Sequence, residues 1–470
     1  MSIRITLLVL LVIFLSGYAW KNWFVSLCGA VVLMAVVQHP DFPNSIGGIQ
    51  GMNLWNILLL SIIFAWLMRP REAGYTWDLP PKATWMLIGY LLVIVVGDLR
   101  LILHPKRPAD YTLGNIISED FINCVKWVLP SLLLFDACRT RKRITIALVT
   151  ILALYVLLAI QVIRWMPLSA AASGADISAR ASKIIQNEIG YNRVTMSMML
   201  AGASWAVLAS VILVSKRSHI LGILLAAGVV AMGQALTGGR TGYLTWGVVG
   251  MVLSAVRWPR LLGVIPVAIF VLVTAVPGVQ ERMLQGFGGK KGNFRVEADA
   301  YEMTSGRNIA WPMVIHAIAK SPITGAGREG MVTTGIKDAL WEGYYESFPH
   351  PHQAYLEILL DNGIIGFLLV IPFYFYALGL SFQLLRERSD PLVTVVGCTA
   401  FCLILSLLIG SFGGQTFYPR EGSVGMWAAI GLMMRVSVDY RRSLETGEPM
   451  FEEDWETPGD PYESYLRHPV

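Results

Sequence analysis

Apolar residues in this chain do not alternate with polar ones. They run on for about the thickness of a bilayer, stop at a basic cluster or a short polar turn, and start again. The runs fall at roughly 3–19, 23–38, 53–68, 83–97, 119–136, 144–166, 194–214, 219–236, 241–256, 261–277, 357–385, 392–411 and 423–438. The first two are short enough to form one broken or interfacial element. The pattern therefore predicts an all-α polytopic membrane protein with about 12 (12–13) transmembrane helices. The first run, Ile5 to Tyr18, reads as a retained helix rather than a signal peptide. The second run follows almost at once after Lys21 and Asn22, with no small-x-small cleavage site between them.

The basic clusters set the orientation. Arg69 and Arg71, Arg139 to Arg143, Lys216 and Arg217, Arg257 and Arg260, and Arg386 and Arg388 all fall on one side under simple alternation. That side is cytoplasmic by the positive-inside rule. The outer side receives 38–52, 98–118, 167–193, 237–241, 278–352 and 412–422, and segment 38–52 contains no Lys or Arg. The expected organisation is an N-terminal transmembrane bundle over 1–277, one large outer loop over 278–352, C-terminal transmembrane helices over 353–438, and an acidic, disordered cytoplasmic tail over 439–470. Within the loop, Asn308 to Lys320 is apolar-faced and able to lie as a helix on the membrane surface. The Gly-rich stretch Gly286–Gly292 lacks the spacing of a phosphate loop.

Composition narrows the function. With 55% hydrophobic and 15% charged residues, the chain falls below the roughly 25% charge of a soluble domain. Its net charge of +5 comes mostly from residues at the ends of apolar runs, so nucleic-acid binding is not expected. Cys28, Cys124, Cys138, Cys398 and Cys402 lie in or beside apolar runs without ligand spacing, and neither a disulfide nor a metal is expected there.

Three outer features carry candidate chemistry. Thr237-Gly-Gly-Arg-Thr-Gly242 is a tight turn with Arg240 at its tip. It reads either as an interfacial snorkelling arginine or as a planar guanidinium beside glycines that admit a phosphate. Thr304-Ser-Gly-Arg-Asn308 sets Arg307 at a helix start, which is an N-cap signature and also an anion site. Phe348-Pro-His-Pro-His-Gln-Ala-Tyr-Leu-Glu357 brings His350 and His352 to the outer mouth of a helix, whose dipole disfavours imidazolium and leaves a neutral base. Arg193, in Tyr191-Asn-Arg193, reads equally as a lipid-phosphate partner or a helix anchor. A His-x-His metal site lacks a convincing third ligand, so no metal and no cofactor are expected.

These residues resemble the superfamily of O-antigen ligases and polymerases among bacterial envelope glycosyltransferases. The resemblance rests on the turns ending in Arg240 and Arg307, on Ser321-Pro-Ile-Thr-Gly-Ala-Gly327, and on His352-x-x-Tyr355-Leu continuing to Asn362-Gly-Ile-Ile-Gly366. It is clearest over about 190–435. It implies a GT-C-like membrane fold in the bacterial inner membrane, with the active site facing the periplasm. The implied reaction is metal-independent, inverting transfer of a glycan from undecaprenyl pyrophosphate to an acceptor hydroxyl, a lipid A-core sugar for a ligase or another lipid-linked repeat for a polymerase. By motif it implies His352 as base, with Arg240 and Arg307 stabilising the departing pyrophosphate. Arg193, His350 and Tyr355 are substrate-binding candidates. This chain has His352-Gln353 where the family often has His-Asn, and an additional His350, so both imidazoles stand as candidates for the base.

The expected function is thus an O-antigen ligase of lipopolysaccharide biosynthesis. An O-antigen polymerase or an O-linked protein oligosaccharyltransferase are the alternatives within its class. A lipid-linked glycan transporter is the alternative outside it, disfavoured because the spans lack paired intramembrane acids; Lys126 and Asp136 are the nearest candidates.

Overall fold

The computed structural model describes residues 3–43, 45–46, 51–69, 77–105, 107, 111–166, 177–263, 266–267, 270, 274, 280, 283, 289–291, 294–296 and 298–451. The long helices are α1 (Ile3–Tyr18), α2 (Trp23–Val37), α3 (Leu54–Met68), α4 (Pro81–Ile102), α5 (Asn123–Ala137), α6 (Arg141–Trp165), α7 (Arg193–Ala209), α8 (Arg217–Leu236), α9 (Arg240–Arg257), α10 (Arg307–Lys320), α11 (Ile336–Tyr344), α12 (Ala354–Arg386), α13 (Pro391–Gly410) and α14 (Val424–Thr446). One small antiparallel hairpin, β1 (Gly289–Lys291) with β2 (Phe294–Val296), sets Gly289 opposite Val296.

Among the described residues, α4, α6, α7 with its extension to Leu213, α8, α12 and α13 are long and apolar enough to cross a membrane. Helices α1, α2 and α3 are apolar but shorter, and α5, α9 and α14 also stand where the sequence predicts spans. The chain is a polytopic helical membrane protein. The larger count of 12 to 13 goes beyond these six. Most of the expected span 261–277 and the Gly286–Gly292 stretch, and all of 452–470, lie outside the described residues. All five cysteines are buried and free.

Burial ranks the helices by position. In α13, 89% of the apolar window is buried inside the protein, against 28% in α8. So α13 is the hub, packed between α7 and α12, and α8 faces outward. Small residues permit this closeness: a Cβ on Gly202 of α7 would meet Ser406 Oγ, and one on Gly397 of α13 would meet the backbone of α12.

Helix α12 is interrupted. Gly363 adopts φ 61°, ψ −162°, a combination essentially restricted to glycine. The break frees peptide groups, and the segment 322–327 runs alongside to take them up. Ile364 and Ile365 donate to the carbonyls of Pro322 and Ile323 at 2.9 and 3.2 Å, while Ala326 and Gly327 donate to those of Leu360 and Asp361 at 2.7 and 2.8 Å. Two stretches picked out in the sequence, 321–327 and 362–366, are therefore hydrogen-bonded partners. Arg100, near the end of α4, fastens the same strip through the carbonyls of Thr324 and Gly325. Gly363→Ala is expected to cost about 2 kcal/mol or more, because the new methyl would strike the Ile323 carbonyl in a backbone conformation alanine rarely adopts. Thermal unfolding in detergent measures this; a shift below a degree would contradict it.

Two expectations change. The segment from Asn308 is helical, but its apolar face does not rest on lipid. Ala310 and Val314 pack with Met331, Ile336, Leu340, Phe348 and Leu360 in a second hydrophobic cluster, separate from the bundle core. The last helix also runs to Thr446 instead of ending at 438. The reason is a buried charge cluster: Arg435, fully buried, bonds Asp78 at 2.6 and 2.8 Å and Asp439, one turn on, at 2.7 and 3.0 Å, and Arg442 joins Asp78 at 2.6 Å. Losing the helical turn at 439 would strand Arg435 half-paired in the core.

Candidate active site

Four stretches distant in sequence meet at one end of the bundle. The first is the turn between α8 and α9. Gly238 is left-handed at φ 65°, and a Cβ on Gly239 or Gly242 would run into Ser197 of α7. Arg193, at the start of α7, braces this turn by donating from Nη1 to Gly238 O at 2.8 Å. Of its two sequence readings, the anchoring one describes this contact.

Arg240 then opens α9 and donates from Nη2 to Ser305 Oγ at 2.9 Å, reaching the second stretch. There Ser305 and Gly306 are both left-handed, at φ 54° and 77°, a sharp bend that sets Arg307 at the first position of α10. Arg307 donates to Thr304 O at 3.4 Å and, from Nη2, to Gly413 O at 3.2 Å, which brings in the third stretch, the loop after α13. That loop is seated against the first turn: a Cβ on Gly413 would meet Thr241. The Arg307 Nε is buried without an acceptor, and no carboxylate forms an ion pair with Arg307 among the described residues. Burial, and after it the charge of Arg240, disfavour the Arg307 cation. A bound anion would relieve that repulsion.

The fourth stretch is the histidine segment. Phe348 packs against Gly306, and Pro351 O accepts from Trp311 Nε1 of α10 at 3.0 Å. His352 is left-handed at φ 52°, uncommon for a residue with a side chain, and its N–H donates to His350 Nδ1 at 3.2 Å. His350 Nδ1 is thus an acceptor committed to the main chain. The two rings lie 4.3 Å apart, edge to face, and Phe348 covers the His352 ring at 5.3 Å. No hydrogen bond engages the His352 imidazole nitrogens among the described residues. Gln353 caps α12, its Oε1 accepting from Leu356 N–H at 2.6 Å. An asparagine amide serves the same purpose, which accounts for His-Gln where the resembling family often has His-Asn. Tyr355 turns toward α13, donating to Leu408 O at 2.8 Å with its ring between Phe412 and Phe417. It fastens helix to helix and its hydroxyl does not engage His352.

Both histidines are held neutral. Burial and then Arg307 push the His352 pKa down to about 4. Burial, then His352, then Arg420, Arg328 and Arg307 push His350 down to about 3. Desolvation and arginine charge, rather than the helix dipole, cause this neutrality. If the base is His352, the acid limb of kcat/KM lies near pH 4 rather than at the ordinary imidazole value of 6.5, because the neutral form persists down to the folded pKa. A bound anionic substrate would stabilise imidazolium, so the limb of kcat would lie at higher pH. A pH profile in reconstituted membranes measures both, and a kcat/KM limb at 6.5 would contradict the burial.

One group of residues escaped the sequence reading. Arg328, only 3% exposed, stacks on the Tyr418 ring with its guanidinium 3.3 Å from the centroid, and lies 3.8 Å from Asp98 and 3.6 Å from Asp120. Tyr418 donates to Asp361 Oδ2 at 2.8 Å and accepts from Asn362 Nδ2 at 2.7 Å, and Gln415 donates to Glu357. This network ties the first half of α12 to α4 and to the loop after α13. Arg328 follows the quoted glycines 325 and 327, and an arginine at the end of a Gly-x-Gly turn was the available signal.

No curated protein matches the chain. Among the described residues no three His, Cys, Asp or Glu side chains gather as metal ligands. Residues 223–371, about a third of the chain, match the family model described as O-antigen ligase. That segment holds Arg240, Arg307, Arg328 and both histidines, and through it the chain is similar to the membrane glycosyltransferases of the O-antigen ligase family.

Proposed function

We propose that the protein is an O-antigen ligase. It transfers a glycan from undecaprenyl pyrophosphate to a sugar hydroxyl of lipid A-core at the periplasmic face of the inner membrane, in lipopolysaccharide assembly. The observation that carries this reading is the meeting of Arg240, Arg307 and an unengaged, neutral His352 from separate stretches of the chain at one end of the bundle.

The acceptor hydroxyl attacks the anomeric carbon from the face opposite the pyrophosphate, with inversion. A new C–O bond forms as the bond to the pyrophosphate oxygen breaks, and the electron pair leaves on that oxygen. His352 takes the hydroxyl proton. Charge growing on the leaving oxygen meets Arg240 and Arg307, whose planar forks suit phosphate oxygens. Pyrophosphate needs its charge offset more than it needs a proton, so two guanidiniums serve without a metal or cofactor. His350 holds the bend that presents His352, Arg193 holds the turn that presents Arg240, and Tyr355 holds the start of α12.

The test is transfer by the purified protein in reconstituted membranes, given undecaprenyl-pyrophosphate glycan and lipid A-core without added metal. Glycosylated core is the expected product. Elongated donor would make the protein a polymerase, and the absence of either product would overturn the reading.

A further inference from the structure

A second polar space lies at the same end of the bundle. It is a cleft of about 700 Å³, within the size range of small-ligand sites, walled by the loop after α2, the start of α3, the π-helical turn Ile116–Ile122 with α5, and the loop leading to α14. Gln38, Asn53, Asn56 and Glu119 line it, with Lys126 on one wall and Arg420 on another. Of all its lining residues only Arg328 falls inside the stretch 223–371 that matches the family model.

Its cations are held back from their neighbours. Lys126 is more than nine-tenths buried, and its Nζ meets Asn56 Oδ1 at 3.2 Å and the Trp127 ring at 4.3 Å, with no carboxylate in ion-pair range among the described residues. Arg420 is exposed, and its guanidinium has neither an ion pair nor a hydrogen bond among the described residues. Of the three carboxylates that share the cleft, Asp120 pairs with Arg328, Glu119 accepts from Asn123 at 2.9 Å, and Glu421 follows Arg420 in the chain; Glu119 and Glu421 act on Lys126, and Asp120 on Arg420, only from beyond ion-pair range. Burying an ammonium with no counter-ion in direct contact is costly, and an anionic ligand would supply that contact. The amides and carboxylates around it suit hydroxyl groups. Anion and hydroxyls together describe a sugar that carries a phosphate or carboxylate.

The loop after α13 ties this cleft to the catalytic arginines. Its Gly413 carbonyl accepts from Arg307, its Ser411 carbonyl accepts from Ala354 N–H beside the histidines, and a few residues on it delivers Arg420. The histidine segment adjoins that loop through the Ala354–Ser411 bond, and Arg420 and Arg328, both lining the cleft, act on His350 together with Arg307, which also acts on His352. A base that takes a proton from the acceptor belongs between donor and acceptor. With the pyrophosphate at Arg240 and Arg307, the acceptor comes from the Arg420 side.

We propose that this cleft is the acceptor-glycan site, with Lys126 and Arg420 gripping an anionic substituent on one of its sugars. The assignment to acceptor rests on the ligase reading; the presence of an anionic-sugar site does not. The probes are phosphorylated core oligosaccharide freed of lipid A and the same oligosaccharide dephosphorylated with hydrofluoric acid. Binding is measured to the full-length protein in detergent, and transfer in reconstituted membranes. Arg420→Gln, at an exposed position, is expected to weaken binding of the phosphorylated probe about tenfold and to raise the acceptor KM by a similar factor. Arg420→Lys should recover part of the loss, and for the dephosphorylated probe the difference should shrink to within about twofold. Lys126→Gln repeats the test from the opposite wall, with thermal unfolding as its folding control. If Arg420→Gln raises the donor KM instead, the anionic sugar belongs to the donor and the acceptor assignment falls. If it binds both probes as wild type does, the cleft is not a glycan site. If binding is lost but wild type transfers nothing, the ligase reading fails and the anionic-sugar site stands.

Discussion

His352→Ala is expected to lower the transfer rate by about 10²–10⁴-fold, the usual contribution of a positioned general base. Alanine, unlike histidine and asparagine, is not enriched in the left-handed region at φ 52°, and it also loses the ring contacts with Phe348 and His350. A loss of rate in this variant alone therefore confuses chemistry with folding. His352→Asn separates them, because asparagine enters that region readily but has no base of imidazole strength. Both variants should lose the same factor while the melting temperature falls further in the alanine form. His352→Gly provides the complementary arm: glycine accepts the bend, leaves a space between Phe348 and His350, and should regain activity with added imidazole. Retained activity in the asparagine form would remove His352 from the base role. The acid limb near pH 4 should vanish with the imidazole, since nothing else in the proposed step must remain unprotonated.

Arg307→Ala is expected to cost about 10²–10³-fold in kcat, equivalent to roughly 2.7–4 kcal/mol, as for removal of one donor aimed at developing charge. The loss belongs in kcat because the pyrophosphate oxygen gains charge only as the sugar bond breaks; a rise in KM at constant kcat would mean that Arg307 grips ground state and transition state equally. Arg307→Lys keeps the charge but cannot bond Thr304 O and Gly413 O with one planar fork, so it should fall between wild type and alanine. Arg240→Ala should lose less than Arg307→Ala. Arg240 also bonds Ser305 at the bend that sets Arg307 in place, so the double variant should fall short of the product of the singles. Single-turnover transfer with pre-bound donor gives each factor directly.

Helix positions were legible because bilayer-length apolar runs leave the chain one way to satisfy its peptide groups. Among the described residues, nearly every run became a helix within a few residues of its expected ends. The break at Gly363 was visible only as a motif, because its cause, the strip at 322–327, lies forty residues away. Arg240, Arg307 and His352 could be singled out locally, each at a turn or a helix start. What Arg193 and Tyr355 do could not, since both act through main-chain carbonyls that a sequence does not display. Arg328 was missed for a related reason: a fully buried arginine takes its meaning from Asp98, Asp120 and Tyr418, scattered over some three hundred residues. The apolar face of α10 misled in another way. Hydrophobic pattern shows that a face must be covered, but does not distinguish lipid from the α11 and Phe348 surface that covers it here.

The clasp between 322–327 and the broken helix has an evolutionary consequence. Its bonds join peptide groups, so beyond the glycines at 325, 327 and 363 and the guanidinium of Arg100 it makes little demand on side-chain identity. The outer faces of α10 and α11 can therefore drift, gain charge or change size without loosening the histidine segment beneath them. A lineage could redecorate that exterior freely while the bend at His352 stayed fixed.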